Sequence, residues 1–541
     1  MAKPAKRKSA SDGSSPKQAP GKVAGRNPIR SVLVVGGGSA GWMAAASLAN
    51  AFKEGVSIEL VESDEIGTVG VGEGTIPPVK KLNRLLGLDE AEFVRETGGT
   101  FKLGVDFVNW GRVGHRYFHP FGRYGPDFDY VTIDQHWMKL RNEGRAPSLD
   151  DLSIGHAAAV RGRFVQAPAH PKIRSLFNYA YHFDAGLYAN YLRRYSEARG
   201  VVRHEGKIVD VEQDSESGMV RSVTLTDGRR LEADLFVDCS GFRAILIEGA
   251  MKSGFEDWSH WLPCDSALAV PTERCEGTLT PYTRSTAHEA GWQWRIPLQH
   301  RTGNGHVFVS ALMDQDRAAQ ILLDNVDGKP LAEPRLLRFK TGRRTNPWVG
   351  NVVSLGLAAG FLEPLESTSI YLVQTSISRF LHFFPTRDFD PKGIAEFNRR
   401  SRQEWEWVRD FIILHYHAND RRDCELWRQC ADYELPDGLR ERLYHFRASG
   451  RLLVDQRELF QVHSWLAVLV GQLIEPGGYH PIADARPQTN AEQRINAIVK
   501  LIGEAAEKMP RHEQFVARNC RSEFAADGAE PARRHRLARP R

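Results

Sequence analysis

Lys81 is the first residue of this chain whose setting suggests chemistry. Pro78 predicts the first position of a helix, and the apolar residues after it share one face at three- and four-residue spacing. Lys81 lies close to Leu85 at the border of that face, whereas Lys80 lies on the polar side. A desolvated lysine can act as a reactive amine or as a hydrogen-bond donor. A helical lysine is more often a surface residue, so the position alone does not establish a catalyst.

A second feature is the segment spelled W-x-W-x-I-P at residues 292–297. In an extended chain Trp292, Trp294 and Ile296 fall on one face, and the polar residues between them point the other way. The proline at the end stops further strand pairing. The segment is therefore predicted to be an apolar wall with a polar back, and two buried core tryptophans are the simpler reading of the same pattern.

The element that must position this chemistry is a nucleotide-binding turn. A short β-branched run at residues 31–35 is followed at once by a G-x-G-x-x-G turn and an alanine-rich helix. Such glycines permit the turn and let the backbone approach a pyrophosphate at the helix N-terminus. Glu62 ends the next apolar strand, about 20 residues on, where a carboxylate can accept from ribose hydroxyls. The candidate contact residues on the turn are Gly36, Gly38, Ser39, Ala40 and Gly41.

Two later segments favour FAD as the dinucleotide. Residues 231–241 resemble the strand and Ser-Gly turn of flavoprotein hydroxylases, and residues 352–360 resemble their late flavin motif. Gly356 and Leu357 occupy the positions where hydroxylases usually have Gly-Asp, and the Gly-Leu pair resembles the sequence of halogenases at this motif. By the same resemblance, the backbone of Ile208 lies against the adenine and Ile370 contributes to the cofactor site.

The chain resembles the flavin-dependent tryptophan halogenase family. The likeness runs from about residue 30 to 510 and rests on W-x-W-x-I-P, on G-x-G-E-x-T-x-P ending at Pro77, and on E-P-L-E-S-T from Glu363. It implies an α/β fold with an FAD-binding Rossmann-like domain of the glutathione-reductase and hydroxylase type. An inserted sheet and a mostly helical C-terminal substrate region complete the implied architecture.

The resemblance also implies residue roles. The essential lysine of the family follows the G-x-G-E-x-T-x-P proline by four residues, which gives Lys81, and Glu366 is the carboxylate that works beside it. Without the flavin context, Glu366 reads as a helix-capping acid. Backbone N–H groups of Thr368 and Ser369 form the halide nest. Many members have glycine at the second of these positions, which leaves the choice between chloride and bromide open.

The implied activity is halogenation by hypohalous acid, made from FADH2, O2 and halide and delivered through Lys81 to an electron-rich aromatic substrate. Trp292 and Trp294 separate flavin from substrate. The chain shows no second nucleotide motif, so a separate NAD(P)H-dependent flavin reductase is expected as a partner. Two alternatives remain: a flavin-dependent aromatic monooxygenase or oxidase on the same fold, and a flavin-binding protein without turnover.

The substrate end of the chain is less specific. Residues 460–465 and 478–481 resemble a less characterised halogenase branch more than enzymes acting on free tryptophan. Indole or a substituted indole is therefore at least as suitable a substrate as tryptophan. Trp465 is either a stacking residue or a core residue.

Composition excludes several other classes of protein. With 41% hydrophobic and 26% charged residues the chain is an ordinary globular protein, and it has no run of about 18 apolar residues that would span a membrane. Residues 1–30 carry a net +7 and residues 521–541 a net +3, so +5 overall leaves −5 for the body. The high pI therefore gives no argument for nucleic acid. Six cysteines without metal-ligand spacing indicate no metal site and a reducing cytoplasm.

The predicted organisation has four parts. Residues 31–390 form the FAD-binding domain, with substrate-side insertions at about 100–200 and 250–340, and residues 391–510 form a helical substrate-covering region. Ile495, Ile498, Leu501 and Ile502 mark its closing helix. Residues 1–30 and 511–541 are predicted to be basic tails, the first of them disordered. A homodimer is the assembly considered, although oligomeric state does not follow from the sequence.

Overall fold

The computed structural model describes residues 27–65, 72–128, 130–485 and 490–525. The prediction for residues 1–26, most of the N-terminal basic tail, lies outside these ranges, as does that for 526–541. No helix in the described ranges is long and apolar enough to cross a membrane.

The described residues form 22 strands and 15 α-helices. The strands are β1 (Ser31–Val35), β2 (Ser57–Glu62), β3 (Gly72–Gly74), β4 (Thr100–Lys102), β5 (Gly104–Val108), β6 (Arg116–Pro120), β7 (Ala180–Asp184), β8 (Val202–Glu205), β9 (Ile208–Gln213), β10 (Val220–Leu225), β11 (Arg230–Glu232), β12 (Leu235–Asp238), β13 (Phe255–Asp257), β14 (Ser266–Thr272), β15 (Thr283–His288), β16 (Gly291–Pro297), β17 (Thr302–Phe308), β18 (Arg335–Arg338), β19 (Gly342–Arg344), β20 (Trp348–Val349), β21 (Val352–Ser354) and β22 (Gly360–Phe361). The helices are α1 (Ser39–Phe52), α2 (Val79–Leu86), α3 (Glu90–Glu96), α4 (Ile133–Asn142), α5 (Ile154–Ala159), α6 (Pro171–Leu176), α7 (Ala185–Glu197), α8 (Gln315–Asp324), α9 (Ser369–His382), α10 (Pro391–His417), α11 (Glu425–Ala431), α12 (Asp437–Ser449), α13 (Val462–Gly471), α14 (Ala491–Glu507) and α15 (His512–Asn519).

The nucleotide-binding frame is a six-stranded sheet in the order β20-β21-β12-β1-β2-β8. Strands β1, β2, β8, β12 and β21 run parallel, and only the short β20 is antiparallel. Because β1 is apolar and buried, the glycine turn that follows it is held at the carboxyl edge of the sheet, where open α/β sheets bind their ligands. This part of the fold agrees with the predicted Rossmann-like architecture.

The inserted sheet has seven strands in the order β18-β14-β17-β16-β15-β5-β6. Its strand β16 carries the W-x-W-x-I-P segment between β15 and β17, so the predicted strand is central rather than at an edge. A small antiparallel sheet, β3-β7-β4, contacts β16 and β17 through β3. The segment from β3 to the start of α2 therefore lies beside the W-x-W-x-I-P strand.

The C-terminal region from α10 to α15 contains helices and no strand among the described residues. In α14 the buried residues are Ile495, Ile502 and Ala506, which confirms the predicted closing helix. The predicted tail boundary at residue 511 is wrong, because α15 continues the fold. His512 is fully buried there, and its Nε2 accepts from the Phe101 backbone N–H at 3.2 Å. The division between the FAD domain and the helical region at residue 390 stays a prediction.

Candidate active site

The glycine turn has the shape that a pyrophosphate requires. Gly36 has a φ of +111°, and a Cβ there would lie 2.3 Å from the carbonyl oxygen of Cys239, so only glycine fits. A Cβ atom added to Gly38, by contrast, would have no protein atom within 4 Å, so there is room for a ligand beside this glycine. The turn leads directly into α1, and no side chain caps the start of this helix, which leaves its first N–H groups available to a phosphate. These residues fit a dinucleotide phosphate.

Glu62 lies at the end of β2, where the sequence predicts it. Its Oε1 accepts from Arg203 Nε at 2.5 Å and its Oε2 from Trp42 Nε1 at 3.4 Å. The carboxylate also lies over Gly37, because a Cβ atom added to this glycine would come within 1.5 Å of Glu62 Oε2. The acid is therefore fixed over the glycine turn, at the position from which a carboxylate reaches ribose hydroxyls.

The late flavin motif closes on the same turn. Gly356 has a φ of +62°, and a Cβ built on it would lie 2.7 Å from the Ala40 side chain at the start of α1. Leu357 is partly exposed beside it, whereas Ile370 in the first turn of α9 is buried. Ile208 begins β9 and is half-buried against the neighbouring apolar cluster. Early and late flavin motifs thus line one space.

Lys81 lies on the exposed side of α2. The structure confirms α2, with Val79, Leu82 and Leu86 buried, but the helix begins one residue after Pro78. Lys81 is exposed, and Leu85 beside it is 58% exposed. The expectation that Lys81 lies at the border of the buried face is wrong, because the Leu85 side of the helix faces solvent rather than the core.

The buried lysine of this region is Lys102, at the end of β4. Its side chain is fully buried, and its Nζ donates to Ser367 Oγ at 2.8 Å. Gly74 permits the approach, since a Cβ there would lie 2.6 Å from Ser367 Oγ and 3.3 Å from Lys102 Nζ. Burial lowers the pKa of Lys102 from 10.5 to about 7, against the opposing charge of Glu366.

Glu366 lies between two histidines. Its oxygens lie 2.9 and 3.0 Å from His119 Nδ1, and Oε1 lies 2.8 Å from His415 Nε2. All three side chains are buried. Burial acts to raise the pKa of Glu366, but the charge and hydrogen bonds of His119 and His415 outweigh it and hold the pKa at about 2. Glu366 is therefore a buried carboxylate rather than a helix cap.

The tryptophans of the W-x-W-x-I-P strand are held by Glu363, which lies three residues before Glu366 in the same turn. Trp292 is fully buried and Trp294 is 7% exposed, with ring centroids 6.1 Å apart. Trp292 Nε1 donates to Glu363 Oε2 at 2.8 Å, and Tyr416 Oη donates to the same oxygen at 2.5 Å. Burial raises the pKa of Glu363 to about 7, although both hydrogen bonds act to lower it. The polar back of the strand exists as predicted, since Arg295 on it pairs with Asp327.

The residues expected to hold the halide lie at the start of α9. Thr368 is the N-cap residue and Ser369 the first residue of this 14-residue helix. Ser367, with a φ of +60°, makes the left-handed turn that leads into this helix end, and free N–H groups at such a turn can bind an anion. Among the described residues no group of His, Cys, Asp or Glu could hold a metal ion.

This chain is similar to known proteins over most of its length. Residues 31–488 match the family model described as tryptophan halogenase. The chain belongs to the tryptophan halogenase family. It is thus a flavin-dependent halogenase, an oxidoreductase, and the predicted family, fold class and activity are confirmed.

Relatives span nearly the whole length of this halogenase. Tryptophan 6-halogenase ThaL of Streptomyces albogriseolus is 33% identical over 87% of this chain and 94% of its own. Tryptophan 7-halogenase RebH of Lentzea aerocolonigenes is 34% identical over 90% of this chain and 98% of RebH. The solved flavin-dependent halogenase Xcc4156 from Xanthomonas campestris is 48% identical with a TM-score of 0.88, and covers 92% of this chain and 99% of its own. BrvH, a flavin-dependent halogenase from Brevundimonas sp. BAL3, is 43% identical with a TM-score of 0.87, and the match covers 91% of this chain and 99% of BrvH.

Four residues that the structure brings together in this halogenase have no role assigned from the sequence: Lys102, His119, His415 and Ser367. A signal for the lysine exists: Lys102 stands between Phe101 and Leu103 in a run of buried strands, where an unpaired charge is rare. Trp465, left open between two readings, is a core residue. It is fully buried, and its Nε1 donates to the Phe460 carbonyl at 3.1 Å.

Proposed function

We propose that this halogenase makes hypohalous acid from FADH2, O2 and halide, and that Lys102, in place of Lys81, passes the halogen to an indole-type aromatic ring. The observation that carries the proposal is a fully buried amine, Lys102 Nζ, joined by Ser367 to the turn that holds Glu366. A lysine so placed is shielded from solvent and has a depressed pKa, as a reactive amine requires.

The flavin is held by three parts of the frame. The glycine turn binds the pyrophosphate, Glu62 the ribose and the Ile208 backbone the adenine. Reduced FAD supplies the two electrons that activate O2, and with halide this yields hypohalous acid. The remaining contacts are made by Gly36, Gly38, Ser39, Ala40, Gly41, Gly356, Leu357 and Ile370.

The backbone N–H groups of Thr368 and Ser369 bind the halide. The N-terminus of a helix attracts anions, and α9 is long enough to have a full end charge. The side chain of Thr368 is fully buried and its Oγ1 has no hydrogen-bond partner, which leaves a further donor at the same end. Ser369 uses only its N–H here, so its side chain does not prevent anion binding.

Lys102 and Glu366 share the halogen transfer. At the neutral amine the N–X bond forms as the O–X bond of hypohalous acid breaks, and hydroxide leaves with an amine proton as water. The aromatic carbon then takes the halogen from nitrogen, Glu366 accepts the ring proton, and this proton returns to the lysine nitrogen. Atoms balance, and Lys102 is regenerated.

The surroundings of Glu366 suit an aromatic substrate. His119 lies 6.2 Å from Phe460, ring centroid to ring centroid, and Phe460 stacks on Phe411 at 3.8 Å. Flat apolar rings of this kind favour stacking with another ring. Trp292 and Trp294 separate this space from the flavin, and the rigid anchor at Glu363 supports that role.

The partners follow from what the chain carries. A separate NAD(P)H-dependent flavin reductase supplies FADH2, since the sequence contains one nucleotide-binding motif. The six cysteines are all free, which supports a reducing cytoplasmic location.

The test is a single reaction. Purified protein is incubated with FAD, a flavin reductase, NADH and bromide or chloride, with indole and tryptophan as parallel substrates, and products are read by mass spectrometry. A halogenated product, stronger with indole, supports the proposal. Hydroxylated product without halogen would instead indicate a monooxygenase, and peroxide alone an oxidase.

A further inference from the structure

His415 has an acceptor at both ring nitrogens. It lies in α10, fully buried, with Nδ1 2.8 Å from the Phe411 carbonyl oxygen and Nε2 2.8 Å from Glu366 Oε1. A carbonyl oxygen only accepts, so Nδ1 must carry a proton. The second proton lies between Nε2 and the carboxylate, and its position decides the charge of the ring.

That proton belongs to the histidine. His119 directs its Nδ1 at both oxygens of Glu366, which favours the ionised carboxylate. An ionised Glu366 offers no proton to Nε2, and a bond of 2.8 Å then requires Nε2–H. The aromatic rings around His415, those of Phe107, Trp110 and Phe411, offer no competing acceptor of a proton.

We propose that both ring nitrogens of His415 carry protons, that the resulting imidazolium pairs with Glu366, and that this leaves Lys102 as a neutral amine. The second half rests on the proposed role of Lys102. Two ionisable groups interact with Lys102: Glu366, whose charge acts to keep the amine protonated, and His182, whose pKa is held well below its usual range by burial. Lys102 Nζ bonds to a hydroxyl rather than to a carboxylate. With Glu366 neutralised by His415, the attraction that remains for a protonated amine is that of the Phe121 ring, whose centroid lies 5.3 Å from Lys102 Nζ, and this is weaker than an unpaired carboxylate. His415 is thus a positioning residue that acts on the lysine through Glu366.

A neutron crystal structure of the FAD-loaded wild-type protein tests the first half. We expect deuterium on both Nδ1 and Nε2 of His415 and none on Glu366. Deuterium on Glu366 Oε1, or a bare Nε2, overturns the proposal. Because this experiment needs no turnover, its failure is distinguishable from failure of the proposed halogenation.

The variant His415→Gln tests the second half. Glutamine can still donate to Glu366 but carries no charge, so the carboxylate becomes available to Lys102. The pH at which product formation reaches half its plateau should move upward by about one unit, the effect of one opposite charge nearby. His417→Gln is the matched control, since His417 lies on the same helix, bonds to the Cys430 carbonyl at 3.3 Å and does not contact Glu366. An unmoved profile in folded His415→Gln, or an equal shift in the control, contradicts the proposal.

Discussion

Replacing Lys102 by methionine should abolish halogenation and at the same time stabilise the protein. A pKa of about 7 in the folded state against 10.5 means that the unfolded chain binds more protons between those values, so the unfolding free energy rises with pH there. At pH 7.5 the buried lysine costs about 4 kcal/mol relative to a side chain that never charges. Methionine has a similar length and removes this cost.

The net effect is smaller because one hydrogen bond is lost. Loss of the hydrogen bond to Ser367 destabilises the variant by about 1 kcal/mol, so the unfolding free energy of Lys102→Met should exceed that of the wild type by about 3 kcal/mol at pH 7.5. In a chain of this size that corresponds to a Tm higher by about 3 °C. By pH 9.5 the unfolded lysine is itself losing its proton, and the difference should fall to nearly zero.

The assay pairs thermal unfolding of the apo protein at both pH values with product and peroxide yields of the FAD-loaded enzyme. Lys81→Met is the matched control, because Lys81 is exposed and its replacement should change stability by less than about 0.5 kcal/mol and leave the product intact. The reasoning fails if Lys102→Met is less stable at pH 7.5 or still halogenates. Loss of product in Lys81→Met alone would restore the lysine that the sequence favours.

Three further outcomes are expected. Product formation should rise with pH through about 7 as the Lys102 amine loses its proton, and a rate that falls over this range contradicts a neutral amine. Glu363→Leu leaves the Trp292 indole N–H without an acceptor, so the ratio of halogenated product to peroxide should drop several-fold, whereas Glu363→Gln keeps an acceptor and should retain at least half of it. Gly38→Ala should keep the apo Tm, since no protein atom lies near the added methyl, but should weaken FAD binding at least ten-fold in a fluorescence titration. Gly503→Ala, equally open but on α14, should leave FAD binding unchanged, and equal affinities in the two variants would place the pyrophosphate elsewhere.

Local patterns were enough to predict much of this fold. The β-branched run before Gly36 and the alternation around Trp292 and Trp294 both depend on short-range periodicity, and both agree with β1 and β16. Glu366 is implied by the family resemblance of the segment that directly follows the late flavin motif, and its role in halogen transfer stays a prediction. Each of these features is read from residues that are neighbours in sequence.

The lysine could not be predicted in the same way, because its setting is created by distant segments. Lys102 meets Ser367 across 265 positions of the chain, and His119 meets Glu366 across 247. A helical wheel for Lys81 shows which residues share a side of α2, but it does not show which side faces the core. The tail boundary is wrong for a related reason, since α15 is held by contacts of His512 and Phe515 with Phe101, about 411 positions away in the chain.

The turn from Glu363 to Ser367 has a consequence for directed evolution of this enzyme. Glu363 anchors Trp292, Glu366 binds the two histidines and Ser367 accepts from Lys102. One inserted or deleted residue would misalign all three contacts together, so loop-length libraries here should yield almost no active clones. Substitutions intended to change the substrate are better made near Phe460, where a larger or smaller side chain leaves the contacts of the Glu363–Ser367 turn unchanged.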